Sequence, residues 1–153
     1  MHIRRYQATD WEAIWDLHVI GLQHAGAYRE EAHWYDDLHH IEDVYLNNGG
    51  EFLVGLVDGR IIAMGALKRT DQERAEIKRM RVHPDVQGHG CGTMLLQALE
   101  RRAQTLGYCV LHLTTSTIQL AAQQLYRKQG FRETGEIQTI GGFTDIFFEK
   151  QLS

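Results

Sequence analysis

The chain has 153 residues, 43% of them hydrophobic and 24% charged, the make-up of a globular domain with one sizeable core. Its net charge of −4 gives nucleic acid no electrostatic footing, and no apolar run reaches the ~20 residues of a membrane span. Met1–Tyr6 lacks an apolar signal core, and two cysteines, Cys91 and Cys109, are too few for a disulfide framework, so one domain over 1–153 in a reducing cytoplasm is expected.

His2 to Gln7 reads as a short strand. Thr9 or Asp10 is suited to cap a helix running to about Gln23, with Trp11, Ile14, Trp15, His18 and Leu22 near helical spacing. Glu30 to Leu46 is expected to form a second helix: Trp34, Leu38, Ile41 and Tyr45 fall at i, i+4, i+7 and i+11, and Asn47-Asn48-Gly49-Gly50 stops it. Phe52–Val57 and Arg60–Leu67 are strands joined by Asp58-Gly59, a tight hairpin in which both central residues need φ > 0.

Glu73 to Val82 is the next strand. A glycine-rich turn and a helix to about Leu106 follow, ended by Gly107. Val110–Thr114 is a short strand suited to burial on both faces, and Ile118–Gln129 a helix ended by Gly130. Phe131–Gln138 and Phe143–Lys150 form a final pair around Gly141-Gly142. The strand, helix and strand over 73–114 make a crossover unit with a parallel pair, while the hairpins require antiparallel ones, so the sheet is mixed.

The turn Val82-His83-Pro84-Asp85-Val86-Gln87-Gly88-His89-Gly90-Cys91-Gly92-Thr93 runs directly into a helix. Unpaired N–H groups and the positive end of the helix dipole make such a turn an anion site, and glycine lets a phosphate come close. The triphosphate loop G-x-x-x-x-G-K-[ST] fails here because its second glycine and lysine are missing. The dinucleotide pattern G-x-G-x-x-G fails because Thr93 or Leu95 takes the third place. Q-x-x-G-x-G does fit, as Gln87, Gly90 and Gly92.

That motif, the strand 75–82 before it, the helix after it, and the later Leu125-Tyr126-Arg127-Lys128-Gln129-Gly130-Phe131 together resemble the GNAT N-acetyltransferase superfamily, most strongly over 73–131. The resemblance implies an α+β fold. A central, mostly antiparallel mixed sheet of about seven strands, with one parallel splayed pair, is flanked by about four helices. It also implies acetyl-CoA as cosubstrate and an amine acceptor, with direct attack and no acyl-enzyme.

By the same resemblance, the coenzyme is held by the backbone of Met80, Arg81 and Val82, by the turn Gln87, Gly88, His89, Gly90, Cys91, Gly92 and Thr93, and by Gln119, where many relatives carry asparagine. Ser116 and Thr117 are substitutes for Gln119. The implied catalytic groups are Tyr126 as proton donor to the leaving thiolate, Glu76 as general base and the Met80 N–H as oxyanion donor. Read from the residues alone, Tyr126 is better taken as a half-buried residue of an amphipathic helix, and Glu76 is equally a strand-edge carboxylate paired with Lys78 or Arg79. Cys91 corresponds to an inward-packing aliphatic position.

The nine histidines and two cysteines show no zinc spacing, so no metal is expected. Residues 29–43 hold Glu30, Glu31, Asp36, Asp37, Glu42 and Asp43 against one arginine, and an acidic rim there would draw an ammonium-bearing acceptor. For Asp36 and Asp43, opposite the apolar stripe, a solvated face is the better account. The partners expected are thus acetyl-CoA and an amine, with a homodimer left open. The alternative is a non-catalytic acyl-CoA-binding sensor on the same fold.

Overall fold

The protein is described here by a computed structural model covering residues 1–28 and 32–153, without the side chains of Ala32 and His33. Seven strands form one sheet: β1 (His2–Arg5), β2 (Glu51–Val57), β3 (Arg60–Arg69), β4 (Arg74–Val82), β5 (Val110–Ser116), β6 (Arg132–Ile140) and β7 (Phe143–Gln151). Their spatial order is β1-β2-β3-β4-β5-β7-β6. Only β4 and β5 run parallel. Three α-helices flank it: α1 (Trp11–Ala25), α2 (Cys91–Thr105) and α3 (Leu120–Lys128).

The β2–β3 hairpin turns on Asp58 (φ 51°) and Gly59 (φ 76°), the two positive φ angles its sequence requires. α2 buries Leu95, Leu96, Leu99 and Ala103 against the sheet. Each of those leucines contributes roughly 1.5–3 kcal/mol of apolar burial. Asp10 stands at the N-cap of α1, one of the two positions expected. Asp10 makes no forward cap; its carboxylate accepts from the Gln7 N–H at 2.8 Å and from both Arg4 nitrogens at 2.7 and 2.9 Å.

The expected continuous helix over 30–46 is absent. Ala32–His39 is a 3-10 helix kinked at Tyr35 (φ −123°), and Glu42–Leu46 is one π-helical stretch. Its apolar positions still turn inward, with Leu38, Ile41 and Tyr45 buried. β6 is an outer strand, exposed along most of its length, and its register with β7 slips between Glu133 and Ile137 around Gly135 (φ 91°).

Candidate active site

The β4–β5 ladder holds only at Arg74↔Val110, Ala75↔Leu111 and Glu76↔His112. Beyond Glu76 the strands diverge, and β5 continues paired with β7 to Ser116. A cavity of about 220 Å³ opens in this gap. Glu76, Met80, Arg81, Gln119 and Tyr126, five of the residues singled out in the sequence, line it together. Lys78, Arg79, Trp34 and Tyr35 complete the wall toward α1.

β4 bulges along the cavity wall. Met64 pairs with Arg81 and Ala66 with Lys78, so Arg79 and Met80 both stand opposite Gly65. A Cβ on Gly65 would lie 2.6 Å from the Met80 sulfur and 3.0 Å from Leu99, so the glycine leaves the room that the Met80 side chain fills beside α2. Arg79 takes φ 58°. For a non-glycine residue this costs roughly 1–2 kcal/mol. Its partners offset that cost: Nε donates to Asp37 at 3.0 Å, Nη2 donates to the same carboxylate and to the Trp34 carbonyl at 2.8 Å, and the guanidinium lies 5.4 Å from the Tyr35 ring centre.

Asp37 also accepts from the Tyr45 hydroxyl. Burial alone would raise the Asp37 carboxyl, but Arg79 and Tyr45 hold it down at about 2. Sequence reasoning missed this pair and counted Asp37 in an acidic rim. That rim is thinner than expected: Asp37 faces inward, while Asp36, Glu42 and Asp43 are exposed. Glu30 and Glu31 lie outside the described residues.

Glu76 forms no ion pair with Lys78 or Arg79, the pairing expected of a merely structural carboxylate; no salt bridge involves it among the described residues. Tyr126 is buried at 5% exposure, edge-on to Phe131 and tilted against Phe148. Burial pushes its phenol up to about 12, and the Arg81 cation pulls the other way. The Arg81 Nη1 donates to the Met80 carbonyl at 2.7 Å, so of Met80's two backbone groups the C=O is already engaged.

On the α1 side His18 is completely buried, with no hydrogen-bond partner on either ring nitrogen among the described residues. Burial, together with Arg81 and Arg79, pushes the imidazole down to about 2 and keeps it neutral. Gln119 lies within reach of the Thr115 hydroxyl at 3.5 Å. Of its two substitutes, Ser116 is buried and its Oγ accepts from the Ile118 N–H, while Thr117 is exposed.

The glycine turn lies at the far end of β4. Gly88 and Gly90 take φ 81° and 82°, and a Cβ on either meets nothing within 4 Å, so their outer face is open to a ligand. Gln87 reaches back to the Val82 carbonyl at 3.3 Å, and His89 is exposed. No side chain caps α2, which leaves the first N–H groups, those of Cys91, Gly92 and Thr93, for an anion. These features fit a coenzyme pyrophosphate. Gly92 serves differently: a Cβ there would lie 3.2 Å from Leu125, so it governs how closely α2 approaches α3. Cys91 packs against the cluster of Ile62, Ala63 and Leu95. Among the described residues no group of three or more His, Cys, Asp or Glu is placed to hold a metal, and no helix is long and apolar enough to cross a membrane.

Comparison with known proteins agrees with this geometry. The model of the acetyltransferase (GNAT) family matches residues 11–131. An "IAA acetyltransferase" of Azospirillum brasilense is 36% identical over 103 residues, covering 66% of this chain and 67% of that protein. An "N-acetylaspartate synthetase" of Danio rerio is 30% identical over 126 residues, 76% of this chain but only 45% of that longer protein. A GNAT-family acetyltransferase from Staphylococcus aureus Mu50 shares the fold at a TM-score of 0.89, with 22% identity over 99% of both chains. A GNAT-family acetyltransferase from Elizabethkingia anophelis with acetyl-CoA bound superposes at 0.70, with 22% identity over 99% of this chain and 97% of that one.

Proposed function

The chain belongs to the GNAT acetyltransferase family and is an acetyltransferase with acetyl-CoA as its cosubstrate; from that premise we propose transfer of the acetyl group to a primary amine of a small molecule or peptide, by direct attack in a ternary complex. Acetyl-CoA supplies the thioester. The pyrophosphate is received by Gln87, Gly88, His89, Gly90, Cys91, Gly92 and Thr93, and the arm lies along the open edge of β4 at Met80, Arg81 and Val82 like an added strand. Gln119 contacts the arm from the start of α3.

The Met80 N–H donates to the oxyanion that develops on the acetyl carbonyl. Glu76 accepts the amine proton, directly or through one water. Tyr126 donates to the departing sulfur. Its phenol, at about 12, lies about 3.5 pKa units above a thiol near 8.5. Full proton transfer is therefore uphill, and Tyr126 acts chiefly through a hydrogen bond that strengthens as charge builds on sulfur. The Arg81 cation keeps that phenol from rising further.

The observation that carries this reading is that Glu76, Met80 and Tyr126 line one cavity at the split between β4 and β5. The "N-acetylaspartate synthetase" name of a similar protein fits an N-acetyl product. A homodimer is compatible with this chemistry. The two free cysteines, Cys91 and Cys109, suit a cytoplasmic setting.

The test is acceptor-dependent release of coenzyme thiol from acetyl-CoA across amino acids, polyamines, aminoglycosides and peptides. Coenzyme binding with no acceptor-dependent release from any of them rejects the reading. Glu76→Gln should lower turnover by about 10²-fold with coenzyme affinity retained. An unaltered pH–rate profile in that variant removes Glu76 from the role of base.

A further inference from the structure

The acceptor wall carries more positive charge than its internal pairs engage. Lys78, Arg79 and Arg81 all line the cavity, with the carboxylates of Glu76 on the same strand and of Asp145 on β7. Arg79 is taken up by Asp37 and the Trp34 carbonyl. Lys78 enters no ion pair among the described residues. Among the described residues Arg81 has no carboxylate either: Nη1 donates to the Met80 carbonyl, and Nε, sealed from solvent, has no acceptor.

The Arg81 side chain is held in place rather than free to swing away. A Cβ on Gly21 of α1 would lie 3.3 Å from the Arg81 Cδ, so that glycine makes the room its stem occupies. His18, one turn earlier on α1, is buried and offers it no negative charge. Burial brings the guanidinium down only to about 10, so it remains a cation at neutral pH. A planar, charged, fixed guanidinium on a cavity wall, with no ion-pair partner among the described residues, is the geometry that binds a carboxylate. The cavity, at about 220 Å³, falls below the ~300–1,000 Å³ of sites for drug-sized ligands, so its occupant is small.

Building on the acetyl-transfer reading, we propose that the acceptor is a small zwitterion of the amino-acid class, its amine presented to Glu76 and its carboxylate received by Arg81. Lys78 stands between the two on β4 and adds positive charge to the carboxylate end. The same wall opposes polyamines and aminoglycosides, whose further ammonium groups would face Lys78 and Arg81. It also disfavours peptide amino termini, whose neighbouring carbonyl is an uncharged amide.

The experiment compares kcat/KM for a free amino acid and for its carboxamide, with a polyamine and a short peptide alongside. The wild-type enzyme should favour the free acid by at least ~30-fold. Arg81→Met should bring that ratio close to one, mainly by raising KM for the acid, and Arg81→Lys should restore part of it. Because the ratio compares two acceptors on the same enzyme, any influence of Arg81 on Tyr126 or on the coenzyme cancels. The wild-type ratio needs no variant, so a misfolded Arg81→Met still leaves a decisive measurement. Equal or better use of the amide, polyamine or peptide, or a ratio that Arg81→Met does not move, overturns the zwitterion while acetyl transfer stands. If no amine at all releases coenzyme, acetyl transfer falls and the zwitterion with it.

Discussion

The two sides of the cavity are built from different materials. Toward the coenzyme, backbone dominates: the open edge of β4, the uncapped start of α2, and the left-handed Gly88 and Gly90. Toward the acceptor, side chains dominate, and they are fixed by partners distant in sequence, such as Asp37 and Arg79, 42 residues apart. A backbone site is generic and can be kept while side chains around it change. A side-chain site is particular to one acceptor, and its parts hold one another in place. The difference teaches that damage on the first side should show in binding, and on the second in stability and selectivity.

The largest expected break is Asp37→Ala, which leaves Arg79 buried beside Tyr45 without its carboxylate. Removing one partner of a buried ion pair typically costs 3–5 kcal/mol. For a chain of this size that corresponds to roughly 6 °C or more in thermal midpoint. A midpoint within a degree of wild type would show the pair to be dispensable. Tyr126→Phe comes next, with turnover expected to fall by about 10²-fold at unchanged coenzyme affinity. Turnover within a factor of two would make Tyr126 a packing residue.

Gly90→Val tests the backbone side. A β-branched residue at φ 82° is strained, and its methyl groups would project into the open face of the turn. Calorimetry should give at least a tenfold loss of coenzyme affinity with the fold intact, and an unchanged affinity would break the assignment of the turn.

The smallest effect belongs to His18. Its folded value, about 2, lies below the ordinary 6.5, so the unfolded chain binds the extra proton first. Stability is therefore full above pH 6.5 and falls as pH drops below it, by up to about 1.4 kcal/mol per pH unit. The Asp37 carboxyl, also depressed, adds a further loss only below its ordinary 3.8. His18→Leu should flatten the decline between pH 6.5 and 5. Parallel denaturation curves for the two proteins in that window would mean that His18 is not held neutral.

The coenzyme side was largely legible in the sequence because its signals are local. Asp58-Gly59 announced the hairpin, Gln87, Gly90 and Gly92 announced the turn, and Tyr126 stood close before Gly130-Phe131. The acceptor side was not, because each of its decisive facts is a contact between distant segments. The stripe Trp34, Leu38, Ile41 and Tyr45 foretold which residues turn inward but neither the break in the helix nor the bonds of Asp37 to Tyr45 and Arg79. One signal was available and went unread. Lys78-Arg79 are adjacent cations, and strict alternation would turn one of them into the core face of a strand that also buries Ala75 and Ile77. A bulge resolves that conflict by letting both turn the same way.

The slip in β6 has a consequence for the protein in crowded solution. An outermost strand exposes a row of unpaired N–H and C=O groups on which another chain can extend the sheet. In β6 the regularly paired residues are only Arg132 and Glu133 on one side of Gly135 and Ile137–Ile140 on the other. The interruption at Gly135 twists these two stretches out of line, so neither offers a template of useful length, even though Ile137 is 70% exposed. Straightening that edge, for instance with Gly135→Val, would favour strand-to-strand aggregation at high concentration while leaving the catalytic gap between β4 and β5 untouched.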